Sequence, residues 1–439
     1  MINHISQVHI QSTADLILDF RKFYRFIVPG GGTGGVTVFA GEQLRHTNAE
    51  ILYLDFSSAS MKISQRRARA RKLENIIWIR SWIEDVRFLG LGLFNDFSCS
   101  GVLHHLKSPV YGLNVLKDQL TNDGGTNIMV YGQYGRTGVY QIQKLMKLIN
   151  TNSHEIKKEI KNTNLTLSIL PEKNWFANGN LNINDQHAGD IGLYDLFLHK
   201  RDVAYSMKTI FDWLKNSGLH FIDFDSIRRK YTLKLRHQTY YSQYMMRRLS
   251  RMHLSQQFHI TELLKGFIIK QDFFASKIVN SEADLFEPSS VLYIYGNPMN
   301  FRKALSNSKN IETSANQTMF RAKVTLKNVN LEGLNSRKDI EGFHVGSSTD
   351  FVDLAFPSNN FSHFLVNKLS YSNRGVILVD VMTEYRKNLD SSASDKDLTR
   401  LAQEFYEYVK DTDIFLVKKR HVIPFPASCF KTYYQISSY

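Results

Sequence analysis

Apolar runs and amphipathic stretches alternate between residues 24 and 130, the rhythm of βαβ units that build a parallel sheet. The first run, Phe26-Ile27-Val28, leads at once into Gly30-Gly31-Gly32-Thr33-Gly34-Gly35, and a helical pattern follows from Val36 to Leu44. The second run, Ile51-Leu52-Tyr53-Leu54, ends at Asp55. The third is Ile76 to Ile79 and the fourth Phe94 to Ser100. The fifth, Asn127 to Tyr131, is entered through Asp123-Gly124-Gly125, which reads as a turn. Residues 60–72 predict a basic helix. After Pro109, Leu113, Leu116 and Leu120 recur at helical spacing.

The rhythm breaks over 140–188, a stretch rich in Asn and Lys. Order resumes at Tyr194 to His199. Ser206 starts a helix carrying Ile210, Phe211 and Leu214, Gly218 caps it, and Leu219 to Phe224 predicts a further strand. Beyond it, Val291 to Tyr295 and Gly375 to Val379 read as strands and Asp397 to Val409 as a helix. The pattern predicts three parts. Residues 1–225 form an α/β domain on a doubly wound, mostly parallel sheet, 226–289 a basic helical connector, and 290–439 a smaller α+β C-terminal domain.

Composition narrows the class. With 43% hydrophobic residues the 439-residue chain can bury an ordinary core. Two cysteines, Cys99 and Cys429, are too few for a disulfide framework, and Cys99 is expected to be buried. No run of about 18 apolar residues and no secretory leader is evident, so no membrane insertion is expected and a reducing, cytoplasmic setting is. The net charge of +14 permits an RNA partner. The clusters Arg228-Arg229-Lys230 and Arg247-Arg248 with Arg251 lie near Tyr240, Tyr241 and Tyr244, but a solvated basic face is the simpler reading, so RNA is not favoured.

The glycine loop carries the first chemistry. Glycines let the chain turn tightly and let a ligand approach the backbone, and the helix start behind them offers free N–H groups. Asp55 stands about 20 residues on, where a carboxylate can accept both hydroxyls of a ribose. Gly30, Gly32 and Gly34 fit the spacing of methyltransferases, while Gly30, Gly32 and Gly35 fit that of dinucleotide enzymes. Spacing leaves both open.

The stretches Val28 to Gly35, Leu54 to Ser60, Cys99-Ser100-Gly101-Val102-Leu103-His104-His105-Leu106-Lys107-Ser108-Pro109 and Gly124-Gly125 together resemble class I S-adenosylmethionine-dependent methyltransferases. They look most similar to an uncharacterised bacterial-type group often fused to tetratricopeptide repeats, to whose later part Asp195 to Tyr205 is also similar. The resemblance covers about residues 24 to 225. It implies a class I methyltransferase fold and S-adenosyl-L-methionine as cofactor. The loop Gly30, Gly31, Gly32, Thr33 and Gly34 would face the methionine part, Asp55 the ribose and Phe56 the adenine. Ser100 to Leu103, Ser100 and Gly101 foremost, would pass under the sulfonium. Ser81 and Trp82 stand where the family has an acid for the adenine amino group, and Glu84 or Asp85 would need a shifted turn to serve.

The resemblance implies that His104 and His105 lie on the acceptor side. There His104 is a candidate general base, its alternative role being to cap or pack. No metal is expected from this pair, because adjacent side chains diverge and no third ligand is near in sequence. The Val102 to Leu106 motif argues against a dinucleotide oxidoreductase. The competing function is an inactive, methyltransferase-like scaffold. The acceptor (protein, RNA or small molecule) and the oligomeric state are not legible. Residues 290–439 are expected either to position the acceptor or to bind a partner.

Overall fold

The computed structural model describes residues 24–45, 47–153, 155–178, 189–224, 233, 242–279, 286, 290–294, 309–312, 318–326, 350–371, 376–409 and 415–419. Arg228, Arg229, Lys230, Tyr240, Tyr241, Tyr295, Gly375 and Cys429, on which expectations were placed, lie outside them.

The first part alternates strands and helices. In order they are β1 (Tyr24–Pro29), α1 (Gly35–Gln43), β2 (Ala49–Asp55), α2 (Ser58–Ala70), β3 (Ile76–Arg80), β4 (Phe94–Ser100), α3 (Pro109–Asp118), β5 (Leu120–Tyr131), α4 (Thr137–Ile149), α5 (Ile156–Ser168), α6 (Met207–Ser217) and β6 (His220–Phe224). After a short helix, Gln243–Leu249, come α7 (Leu254–Lys265) and β7 (Lys270–Ser276). The seven strands form one sheet in the order β3-β2-β1-β4-β5-β7-β6. Strands β1 to β5 pair in parallel, and β7 runs antiparallel to both β5 and β6.

Strict alternation along these strands feeds two cores, one on each face of the sheet. Ile27, Leu52 and Leu54 join Phe97, Cys99, Ile128 and Val130 in one. Phe26, Val28, Ile51 and Tyr53 pack in the other, beneath α1 and α2. Burial on both faces is why β1 and β2 read as unbroken apolar runs.

Three details correct the sequence expectations. The stretch 226–289 is not purely a helical connector, since its β7 inserts into the sheet between β5 and β6. Asp123 to Gly125 is not a turn before the strand but an irregularity within β5: from Phe94↔Leu120 to Asp96↔Gly125, β4 advances two residues while β5 advances five. Of the expected strand Gly375 to Val379, the described residues Val376 to Val379 do not form one. Val376 makes a single bridge to Leu292, and a helix begins at Leu378.

The C-terminal part holds β8 (Ser290–Ile294), β9 (Lys309–Glu312), β10 (Thr318–Leu326), β11 (Asp350–Pro357), α8 (Asn360–Tyr371), α9 (Leu378–Asn388), α10 (Asp395–Val409) and β12 (Phe415–Lys419). Strands β9, β10 and β11 form an antiparallel sheet, and β12 pairs with β8. Its core, from Leu292 through Phe361 and Leu369 to Phe405, shares no residue with the cores of the first part. Among the described residues no helix is long and apolar enough to cross a membrane.

Candidate active site

The carboxyl ends of β1 and β2 are tied into one unit. Asp55 is 8% exposed, and its Oδ2 accepts the Gly32 N–H at 2.8 Å while Oδ1 accepts the Ser57 N–H at 2.7 Å. Each oxygen keeps a lone pair for a further donor. The Tyr53 hydroxyl donates to the Gly32 carbonyl at 2.8 Å, and burial and Asp55 together raise its pKa. Gly30, Gly32 and Gly34 all have positive φ, of 66°, 51° and 89°. The need for glycine is clearest at Gly34, where a Cβ would lie 1.9 Å from Ser64 Oγ of α2. Above Gly32 the space is open, the nearest atom to a built Cβ being 3.9 Å away. No side chain caps α1, so its first N–H groups are left for a ligand or water. Thr33 turns toward α2 instead, its carbonyl accepting from Arg67 Nη1 at 2.9 Å.

Beside Asp55 lie Phe56 and Trp82, stacked on each other with centroids 4.3 Å apart and planes 8° off parallel. Each is 55% exposed. Two large aromatic faces left in water at a strand end suit a flat ligand. The Ser81 N–H is held by the Asp55 carbonyl at 3.2 Å, which fixes the approach of the two loops. Of the two acids after β3, Asp85 is exposed, whereas Glu84 has a buried Oε2 without a partner. At the end of β4, Gly101 has φ 77° and its N–H donates to the Met129 carbonyl at 3.0 Å, while Ser100 is half-buried.

The histidines occupy a tight turn, Leu103–His105, beyond β4. His104 is fully buried and neither ring nitrogen has a partner. Burial first, and then His105, Arg136 and His199, push its pKa well below the ordinary histidine value, so it stays neutral. His104, the candidate base, is thus an enclosed imidazole rather than one facing open solvent.

The expectation that the pair diverges is overturned. The rings of His104 and His105 are 4.1 Å apart, and His104 lies 4.0 Å from the Tyr131 ring. The segment after Lys200 draws them together: the Val203 N–H donates to the His104 carbonyl at 3.1 Å, and His105 Nδ1 meets the Arg201 carbonyl at 2.8 Å. The fold thereby adds two residues that sequence reading had not singled out. Asp202 Oδ2 accepts from Gln143 Nε2 at 3.0 Å and stands 3.8 Å from Arg136 Nη2. The buried Arg136 guanidinium lies 3.6 Å from the centre of the Tyr131 ring. The only signal for Asp202 was its place in the Asp195 to Tyr205 stretch.

The crevice therefore has a loop-and-carboxylate side and a histidine side, and known proteins show where such a sheet occurs. PKMT2 from Rickettsia typhi in complex with AdoHcy superposes with a TM-score of 0.58 at 12% identity, over 95% of this chain and 76% of its own. A second structure of PKMT2 gives 0.55 at 12% identity, over 94% and 76%. The fold is that of the class I methyltransferases. In this methyltransferase fold the strand order reverses between β1 and β4, and ligands of open α/β sheets bind outside the carboxyl ends at such a switch point. The Gly30 to Gly34 loop, Asp55 and Ser100 all sit at those ends. No family model matches the chain. An uncharacterised protein of Synechococcus sp. is 29% identical over 213 residues, 46% of this chain, and the chain spans about half the length, 48%, of that curated relative.

Proposed function

We propose that the chain is an S-adenosylmethionine-dependent methyltransferase. The observation that carries this reading is the direct bond between the Asp55 carboxylate and the Gly32 N–H at the switch point of the sheet. The crevice fits the cofactor: Gly30, Gly31, Gly32 and Gly34 would line its methionine part, Asp55 would accept the ribose hydroxyls, Phe56 and Trp82 would cover the adenine, and Ser100 and Gly101 would form the floor. When bound, S-adenosylmethionine supplies a methyl group on a sulfonium, transferred by direct displacement. The chain's own task is to align the acceptor and exclude water. Half-buried His105 and the Tyr131 ring, 5.7 Å apart, would wall the acceptor side. The Val102 to Leu106 motif supports placing the domain with the bacterial-type group it resembles. Residues 290–439, with a core of their own, would position the acceptor.

Asp55→Ala tests the reading. Losing two charge-assisted bonds to ribose should weaken S-adenosylhomocysteine by about 2–4 kcal/mol, about 30- to 700-fold in Kd. Thermal unfolding of the same variant reports separately the loss of the Gly32 and Ser57 bonds. A lowered melting temperature with an unchanged Kd would make Asp55 purely structural and defeat the assignment.

A further inference from the structure

The end of β4 and the segment after Lys200 bring together a buried cluster of unpartnered polar atoms that the cofactor reading leaves unused. Both ring nitrogens of His104 and Oδ1 of Asp202 are out of water with no hydrogen-bond partner. The Asp202 side chain is 1% exposed. Buried polar atoms without partners each cost about 1–3 kcal/mol, so such a cluster calls for something that satisfies several at once. An imidazole nitrogen of His104 and the Oδ1 of Asp202 each offer a lone pair, a donor set that a cation can take.

The surroundings orient the same donors. His105 Nδ1 faces the Arg201 carbonyl at 2.8 Å and must donate to it, which fixes the tautomer with the lone pair on Nε2. A backbone carbonyl on the far ring nitrogen is how proteins orient metal-binding imidazoles. Asp202 is held by its other oxygen, Oδ2, through Gln143 Nε2 at 3.0 Å and Arg136 Nη2 at 3.8 Å, which leaves Oδ1 over. One donor atom from each of His104, His105 and Asp202 lies within 4.8 Å of the other two. Bonds of about 2.0–2.2 Å put tetrahedral ligands about 3.3–3.6 Å apart, so the three side chains need to close by about an ångström or slightly more.

We propose that His104, His105 and Asp202 form a site for a divalent transition-metal ion, two imidazoles and one carboxylate with a position left open. Imidazole with carboxylate suits Zn²⁺ or Co²⁺ and disfavours Mg²⁺ and Ca²⁺, which take oxygen ligands. Arg136 near Asp202 offsets part of the carboxylate charge, so the ion is exchangeable. The site stands apart from the cofactor reading, because it uses none of Asp55, Phe56 or the glycine loop.

The test reads metal directly, on full-length protein stripped with a chelator and titrated with Co²⁺. One ion per chain is expected, with the visible absorption of four- or five-coordinate Co²⁺, abolished when Zn²⁺ displaces it. His105→Gln and Asp202→Asn should each weaken binding by at least about tenfold while circular dichroism shows them folded. His220→Gln, which alters an exposed imidazole on β6, should leave the titration unchanged. No Co²⁺ or Zn²⁺ binding at submillimolar metal, or binding that survives both site substitutions, would overturn the proposal.

Discussion

Gly34→Ala is the most exacting test of how the loop is built. Gly34 has φ 89°, and an alanine there is strained by about 1–2 kcal/mol, the left-handed penalty for an L residue. The new methyl would also meet α2, at 1.9 Å from Ser64 Oγ, 2.6 Å from its Cβ and 3.0 Å from its Cα. Rotating Ser64 moves only Oγ, so α2 itself must shift, which adds about 1–3 kcal/mol of overpacking. The expected loss is about 2–5 kcal/mol of stability in total. Ser64→Gly in the same chain removes the Oγ and Cβ clash but not the φ strain. The double variant should therefore recover about 1–3 kcal/mol, less the glycine penalty of about 1 kcal/mol inside a helix. Urea unfolding followed by tryptophan fluorescence isolates the effect, because Trp78, Trp82, Trp175 and Trp213 are all in the first part of the chain. A loss below about 1 kcal/mol, or a double-mutant cycle with Ser64→Gly that shows no coupling between the two positions, would refute the reasoning.

Two further outcomes follow from burial. Burial pushes the Cys99 thiol up to about 12, a backbone bond near Leu103 only partly opposing this, so at mildly alkaline pH a thiol reagent should leave Cys99 unlabelled until the protein is unfolded; labelling of native Cys99 on peptide mapping would contradict its place in the core. Because the core holding Leu292 and Phe405 shares no residue with those of the sheet, and Phe286 packs with it, residues 1–285 alone should unfold cooperatively and bind S-adenosylhomocysteine with the full-length Kd; an aggregated fragment with no transition would show that the two parts depend on each other.

The sheet was legible where physics writes it in short-range pattern. Strands β1 and β2 are buried on both faces and read as continuous apolar runs. Helix α6 announces itself through its caps: Ser206 Oγ accepts the Thr209 N–H, and Gly218 ends the helix at φ 67°. Strand β7 escaped because it carries a buried polar pair, Gln271 Nε2 donating to Glu262 Oε1 of α7 at 2.6 Å, which breaks its apolar signal. The Gly30 to Gly34 loop and Asp55 could be paired from sequence, since one βαβ unit separates them. The gathering of His104 and His105 with Asp202 could not, because it depends on a contact between segments 96 residues apart. For the same reason the enclosure of His104 was not legible: its depth is set by Tyr131, Arg136 and the 201–203 segment, none of them its neighbours in the chain.

Calorimetric titration of the full-length protein with S-adenosylhomocysteine tests the central claim most directly. A crevice with Asp55 bonded to the glycine loop and Phe56 and Trp82 beside it should bind one molecule per chain with a micromolar Kd, quenching Trp82 fluorescence as it does. No heat and no quenching at millimolar ligand would contradict the account and leave a protein that keeps the methyltransferase fold as a scaffold.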